Sequence, residues 1–149
     1  MSTKKSNYQI HLEGRLAEIE SCGQALDKAC LRYGRVLNDS EDGGRGEKAG
    51  ILETQQAEEA RDKAEDQLTE AREGLAWFQK REIFSITISN IDTERGTCHV
   101  EASTREWPYD TIIEAEVGGH SYRYPEDFDL AQDAVKQVYE KIDDAAENA

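Results

Sequence analysis

The chain has 149 residues, a mass of 16.8 kDa and a formal net charge of −14, from 32 acidic and 18 basic side chains. This length suits one hydrophobic core, while the surplus of carboxylates disfavours direct binding to nucleic acid or to an anionic membrane surface. No apolar run reaches the roughly 18 residues of a membrane span, and the polar start lacks a signal-peptide core, so we expect a soluble cytoplasmic protein. Cys22, Cys30 and Cys98 have no C-x-x-C spacing and predict neither a disulfide framework nor a zinc site.

The first predicted element is a long helix from about Leu12. Its apolar positions recur in alternating steps of four and three, as in a coiled-coil seam, at residues Leu12, Leu16, Ile19, Gly23, Leu26, Cys30, Tyr33 and Leu37. Gly23 is the weak point of this seam, because a glycine inside a helix costs about 0.5–1 kcal/mol relative to Ala. We therefore expect another group to pack very closely against Gly23.

A turn is predicted at residues 38–46, and a second helix follows it up to residue 82. The apolar seam of this helix is rich in small residues and consists of Ala57, Ala60, Ala64, Leu68, Ala71, Leu75 and Phe78. Because alanines let two helix axes approach closely, residues 1–82 are predicted to form an antiparallel coiled-coil hairpin. Trp77 and Phe78 are both expected in the core.

Charge and length extend the prediction for the hairpin. Residues 1–38 carry a net charge of +2 and residues 51–82 a net charge of −4, which favours pairing of the two helices. A projecting two-helix hairpin packs each helix on one side only. We therefore expect a homodimer formed through the hairpin.

At Ile83 the hydrophobic period changes from 3.6 to 2, which predicts strands. The inward positions are Phe84, Ile86 and Ile88 in the first strand, Cys98, Val100 and Ala102 in the second, and Ile113, Ala115 and Val117 in the third. A fourth strand is expected at 120–124, after a Gly-Gly turn. The predicted fold is therefore α+β, with a four-stranded antiparallel meander after the helical hairpin.

A C-terminal helix is predicted to cover the inward face of this meander. Its apolar stripe consists of Phe128, Ala131, Val135, Val138 and Ile142. The sequence thus divides into a helical hairpin over residues 1–82 and a sheet with its covering helix over residues 83–149, which we expect to form one continuous structural unit.

The three histidines are the first candidates for catalysis. His99 shares a strand face with Glu101, which predicts a cross-strand pair between the imidazole and a glutamate. A dyad of a histidine with Cys98 or Ser121 is disfavoured, because adjacent strand residues point to opposite faces. The glycines at 43–46 lack the GK[ST] ending of a phosphate-binding loop. The sequence predicts no enzyme, no cofactor and no metal site.

The acidic charge is concentrated, since −10 of the net −14 lies in residues 83–149. The predicted partner-binding carboxylates are Glu101, Glu114 and Glu116 on one sheet face, and Glu126, Asp127, Asp129, Asp133 and Glu140 at the last helix. Such an array imitates the phosphates of a nucleic acid and attracts a basic protein surface. Trp107 and Tyr109 are added as aromatic interface anchors, with packing of Trp107 onto the sheet edge as the alternative.

The favoured hypothesis is a non-enzymatic acidic binding protein. One example is a phage or mobile-element inhibitor that mimics nucleic acid and occupies a basic surface of a host nuclease or defence complex. In the first alternative, the protein is a chaperone or assembly factor whose helical hairpin holds a client. In the second, a small molecule binds near His99, His120 and Tyr122. Acidity that serves only solubility is the competing explanation for the carboxylates.

Overall fold

The computed structural model describes residues 4–41, 47–92, 94–105, 109–118 and 130–149. These contain helices α1 (Asn7–Glu41) and α2 (Glu47–Glu82), strands β1 (Ser85–Asp92), β2 (Thr97–Ser103) and β3 (Thr111–Gly118), and helix α3 (Leu130–Glu147). The predicted α+β class is confirmed. The chain divides into two compact units, a first unit of residues 1–13 and 73–149 and a second unit of residues 14–72.

Helix α1 begins at Asn7, before the predicted start, because Ser6 caps it. The Ser6 hydroxyl accepts a hydrogen bond from the backbone N–H of Gln9 at 3.1 Å, and the Gln9 side-chain oxygen accepts one from the Ser6 N–H at 3.3 Å. This reciprocal pair is a capping box. The carboxylate of Asp110 accepts hydrogen bonds from the Ser6 hydroxyl and from the Gln9 side-chain amide. A negative charge therefore lies at the positive end of the helix dipole.

The second unit consists of two consecutive helical segments that make a helical hairpin. Its buried apolar residues are Ile19, Ala57, Ala64, Leu68 and Ala71. The guanidinium of Arg61 lies 4.5 Å from the ring centroid of Tyr33, so side chains of α1 and α2 meet there. Leu16 and Leu37 of the predicted α1 seam are exposed. Coiled-coil packing of the two seams stays a prediction.

The C-terminal end of α1 and the space around Gly23 both differ from the prediction. Helix α1 continues through residues 38–41, where the turn was predicted to begin, and residues 42–46 lie outside the described ranges. Apart from its chain neighbours and the adjacent backbone of α1, no described atom lies within 4 Å of the position that a Cβ would take at Gly23. Close packing within the described part of the chain therefore does not account for this glycine.

The three strands of the first unit form an antiparallel sheet in the order β1-β2-β3. Cys98, Val100 and Ala102 of the central strand are almost completely buried, as their alternation predicts. Strand β1 continues beyond the predicted turn at Asn90, where the register shifts and the residue adopts a φ of 51°. Asn tolerates this left-handed conformation better than most residues. The fourth predicted strand, at 120–124, lies outside the described residues.

Helix α3 packs against the sheet, mostly against β3. Its buried residues are Ala134, Val138, Ile142 and Ala146, which follow one another in steps of four. Only Val138 and Ile142 belong to the predicted stripe, because Ala131 and Val135 are exposed and residue 128 lies outside the described ranges. The helix instead turns small alanines toward the sheet, which allows a closer approach of its axis.

Two aromatic residues expected in the core are exposed. Trp77 is 57% exposed and lies beside the Arg81 guanidinium, whereas its neighbour Phe78 is only 7% exposed. Successive residues on a helix point about 100° apart, so a single core-facing stripe cannot bury both. Phe84 precedes β1 and is also exposed, with the Arg105 guanidinium 5.4 Å from its ring centroid.

Candidate functional site

The sheet has one buried and one polar face. Opposite the buried residues of β2, the polar face carries four ionisable side chains of β2 and β3, which we call the acidic face: His99, Glu101, Glu114 and Glu116. The strand register pairs His99 with Glu116 and Glu101 with Glu114. None of the three strands contains a Lys or Arg. His99 is therefore the only residue in these strands that can carry a positive charge.

Hydrogen bonds orient three of these side chains. The Nδ1 atom of His99 lies 2.7 Å from a carboxylate oxygen of Glu116, which confirms the predicted cross-strand pair of this histidine with a glutamate. The hydroxyl of Thr111 donates a hydrogen bond of 2.7 Å to Glu101. These two hydrogen bonds thus restrict the side-chain orientations of His99, Glu116 and Glu101.

Glu101 and Glu114 face each other directly across β2 and β3. Two like charges in this relation destabilise a sheet, by an amount comparable with the roughly 0.2–1 kcal/mol of a favourable cross-strand pair. Glu114 is exposed and Glu101 half-buried, so solvent screens the repulsion only in part. A cation bound over the pair would remove this cost.

Two further predicted site residues, Asp133 and Glu140, lie on α3. Because α3 packs against the sheet through its buried stripe, these carboxylates do not join the acidic face. Asp133 has one carboxylate oxygen that is buried and has no hydrogen-bond partner among the described residues. Burial raises the pKa of the Cys98 thiol, and the charges of Glu116 and Asp133 raise that pKa further. Cys98 is therefore an inert thiol between the two groups of acids.

The aromatic loop is described only at its end. Tyr109 is exposed, as an interface anchor requires, and precedes the Asp110 carboxylate that caps α1. Two hydrogen bonds close this loop at Thr104: its N–H donates to the Asp110 carbonyl, and the Asp110 N–H donates to its hydroxyl. The predicted site residues Trp107, Glu126, Asp127 and Asp129 lie outside the described residues.

The sequence grouped the acidic residues along the chain, but the sheet register decides which of them meet. It brings Glu101, Glu114 and Glu116 together with His99, which the sequence predicts on the same face but not among the partner-binding residues. The signal was available, because His99 and Glu101 are two residues apart on one strand. The pairing with Glu114 depends on the register between β2 and β3.

A groove in the second unit contains none of the residues of the acidic face. In the second unit, an open groove of about 690 Å³ follows one side of α1 and is lined by Asp27, Cys30, Leu31, Gly34, Arg35 and Asn38. His99 is not part of it, and His120 and Tyr122 lie outside the described residues. The structure thus adds no support for a small-molecule pocket at these residues.

Comparisons with protein-family models, curated proteins and solved structures found no match to this chain. Within the described ranges, none of the helices is long and apolar enough to cross a membrane.

Proposed function

We propose that this protein binds a basic surface of another protein through its acidic face and has no enzymatic activity of its own. The observation that carries the proposal is the direct opposition of Glu101 and Glu114 in a sheet whose strands contain no Lys or Arg. An Arg or Lys of a partner placed over this pair would relieve their repulsion and form charge-assisted hydrogen bonds.

The size of the acidic face indicates what it can hold. Residues two apart on a strand are separated by about 6.6 Å, and neighbouring strands by about 4.8 Å. The four side chains therefore occupy a patch that fits one or two basic side chains. Serine and threonine hydroxyls at Thr87 and Ser89 of β1, paired with Glu101 and His99, extend the patch with further hydrogen-bonding groups.

The partner that we favour is a protein whose basic surface normally holds nucleic acid, such as a host nuclease or a defence complex. In this proposal the acidic face takes the place of a few phosphates, and the net charge of −14 steers the encounter. Phage and mobile-element inhibitors are the biological class in which such mimicry is useful. Tyr109, which is exposed in the same unit, is an aromatic residue available to anchor the contact.

Charge reversal at the acidic face tests this proposal. We expect the triple variant Glu101→Lys, Glu114→Lys and Glu116→Lys to weaken binding to a nucleic-acid-binding nuclease by about 100-fold or more, because each reversal turns attraction into repulsion. The measurement is inhibition of the nuclease at two salt concentrations, with a panel of purified nucleases as probes.

The matched control carries the same charge change outside the acidic face, with Glu73→Lys on α2 and Asp144→Lys and Glu147→Lys on α3, all at exposed positions. This control should bind within about threefold of the unmodified chain, since only long-range steering changes. Equal losses in the two triple variants would show that total charge, and not the acidic face, governs binding.

We further propose that the second unit pairs with a second copy of the chain. Several large apolar side chains of this unit are exposed, among them Leu31 (63%), Ile51 (59%) and Leu52 (56%). Residues 1–38 carry a net charge of +2 and residues 51–82 of −4, so α1 of one copy and α2 of another are complementary in charge. A partner helix seated in the groove along α1 would cover Leu31.

Self-association is tested by the mass of the chain in solution. We expect a species of twice 16.8 kDa by sedimentation equilibrium, and a monomer for the double variant Leu31→Glu and Ile51→Glu. Ile91→Glu, at an exposed apolar position of β1, is the control and should leave the dimer intact. A monomeric unmodified chain would contradict the dimer and would favour the chaperone hypothesis, in which the same side chains contact a client.

A further inference from the structure

We infer that His99, Glu101 and Glu114 bind a divalent transition-metal ion, and that Zn²⁺ fits this set of donors. Each of the three side chains offers one ligand atom, and these atoms lie within 4.8 Å of one another. Zn²⁺ binds imidazole nitrogen and carboxylate oxygen at about 2.0–2.2 Å, which places neighbouring ligand atoms roughly 3.4 Å apart in a tetrahedral site. Side-chain adjustments of about 1 Å therefore suffice to close the site.

One ring nitrogen of the histidine is already held by a carboxylate. Glu116 lies 2.7 Å from Nδ1 of His99, an arrangement in which Nδ1 carries the proton and donates it to the carboxylate. The lone pair of Nε2 is then left for a metal, and Nε2 has no hydrogen-bond partner in the described structure. A carboxylate that holds the second nitrogen of a ligating histidine is a recurring feature of zinc sites.

Of the two carboxylate ligands, Glu101 is held in place by a hydrogen bond and Glu114 is exposed. The Thr111 hydroxyl holds one oxygen of Glu101 at 2.7 Å, which restricts the side chain and leaves its other oxygen available. Glu114 stands directly opposite Glu101 and is exposed. A doubly charged cation between these two carboxylates would replace their repulsion with attraction.

The donor set also selects among metals. Mg²⁺ and Ca²⁺ prefer sites made of oxygen ligands alone, whereas imidazole favours zinc and its first-row neighbours. Three protein ligands leave a fourth position for water or another small ligand. No metal motif is visible in the sequence, because Glu114 joins His99 and Glu101 only through the pairing of β2 with β3.

The test uses the full chain, freed of metal with a chelator, and Zn²⁺ alone as the probe. We expect isothermal titration calorimetry to show one saturable site per chain, which is lost in His99→Gln. Glu116→Gln should weaken the site by about 10- to 100-fold, as is typical when the partner of a ligating histidine is changed. His11→Gln is the control, because His11 is exposed on α1. The affinity of this variant for Zn²⁺ should stay within about twofold of that of the unmodified chain, since surface substitutions usually have small effects.

A chain with this net charge also collects Zn²⁺ weakly over its surface, so the histidine variants decide the outcome. Unchanged affinity in His99→Gln, equal loss in His11→Gln, or no saturable site at all would overturn the inference. So would Mg²⁺ binding with the same affinity as Zn²⁺.

A second measurement avoids dependence on the folding of the variants. In the unmodified chain, Zn²⁺ should shift the NMR signals of the His99 ring nitrogens and leave those of His11 in place, and unshifted His99 signals would contradict the site. Zinc binding needs no protein partner, so this result is independent of the proposed function.

Discussion

Ile142→Ala is expected to lower the free energy of unfolding by about 2–5 kcal/mol, the range for removal of a buried aliphatic side chain that leaves a cavity. Ile142 is 0% exposed and belongs to the stripe through which α3 packs against the sheet. Because small domains are stable by only about 5–15 kcal/mol, a large part of the total would be lost. Urea unfolding followed by circular dichroism measures the change, and amide exchange in β2 reports the first unit by itself.

Val135→Ala is the matched control on the same helix. Val135 is 41% exposed, although its spacing placed it in the predicted apolar stripe. We expect a loss below about 1 kcal/mol, because little apolar area leaves the protein interior. Comparable losses in the two variants would mean that α3 packs through the predicted stripe instead of the alanine-rich one.

Phe78→Ala is expected to cost about 3–5 kcal/mol, the usual range for truncation of a buried aromatic residue. The Phe78 ring stacks on Tyr8 with ring centroids 5.6 Å apart and an interplanar angle of 10°. Burial raises the pKa of Tyr8 above its ordinary value of 10.0, against the lowering effect of the hydrogen bond from Gln79. In Phe78→Ala the Tyr8 hydroxyl gains water, so its pKa should fall toward the ordinary value. Urea unfolding gives the stability, and NMR titration of the tyrosine rings gives the pKa.

The raised pKa also fixes the sign of a pH dependence. The folded chain holds the Tyr8 proton more tightly than the unfolded chain, so this contribution to stability is complete below pH 10 and is lost as the pH rises through the folded-state pKa. Because Phe78→Ala should lower the pKa of Tyr8 toward its ordinary value, we expect this variant to lose less stability at high pH.

Trp77→Ala serves as the control for the aromatic truncation. Trp77 neighbours Phe78 on α2 but is exposed and contacts the Arg81 guanidinium. An exposed cation–π contact contributes about 0.5–1 kcal/mol, so the expected loss is no larger. If Trp77→Ala and Phe78→Ala lost equal stability, α2 could not turn Phe78 inward and Trp77 outward.

Local periodicity predicted those features that depend on a single element. The alternation of Cys98, Val100 and Ala102 indicated both the strand and its buried face, because a central strand covered on one side follows period 2 closely. The same alternation placed His99 and Glu101 together. It failed at Phe84, which precedes the strand and lies outside the pleat.

Features that depend on how elements meet were not predictable from the pattern. The buried stripe of α3 was predicted only in part, because the expected spacing includes Ala131 and Val135, which are exposed, whereas Ala134 and Ala146 fill the contact with the sheet. The start of α1 was missed because a capping box of Ser6 and Gln9 precedes the apolar repeat. The acidic residues separated into two groups because one strand face and one helix belong to opposite sides of the sheet.

The start of α1 also bears on how the chain folds. The first unit combines residues 1–13 with residues 73–149, so the Gln79–Tyr8 hydrogen bond joins positions 71 residues apart and the Ser6–Asp110 bond positions 104 apart. Contacts of such long range slow folding, since the entropy of loop closure must be lost before they form. During synthesis, Ser6 must wait for Asp110 to emerge. If residues 14–72 form a helical hairpin early, the effective length of the loop between residues 1–13 and residues 73–149 becomes shorter. The long-range contacts of the first unit would then form faster.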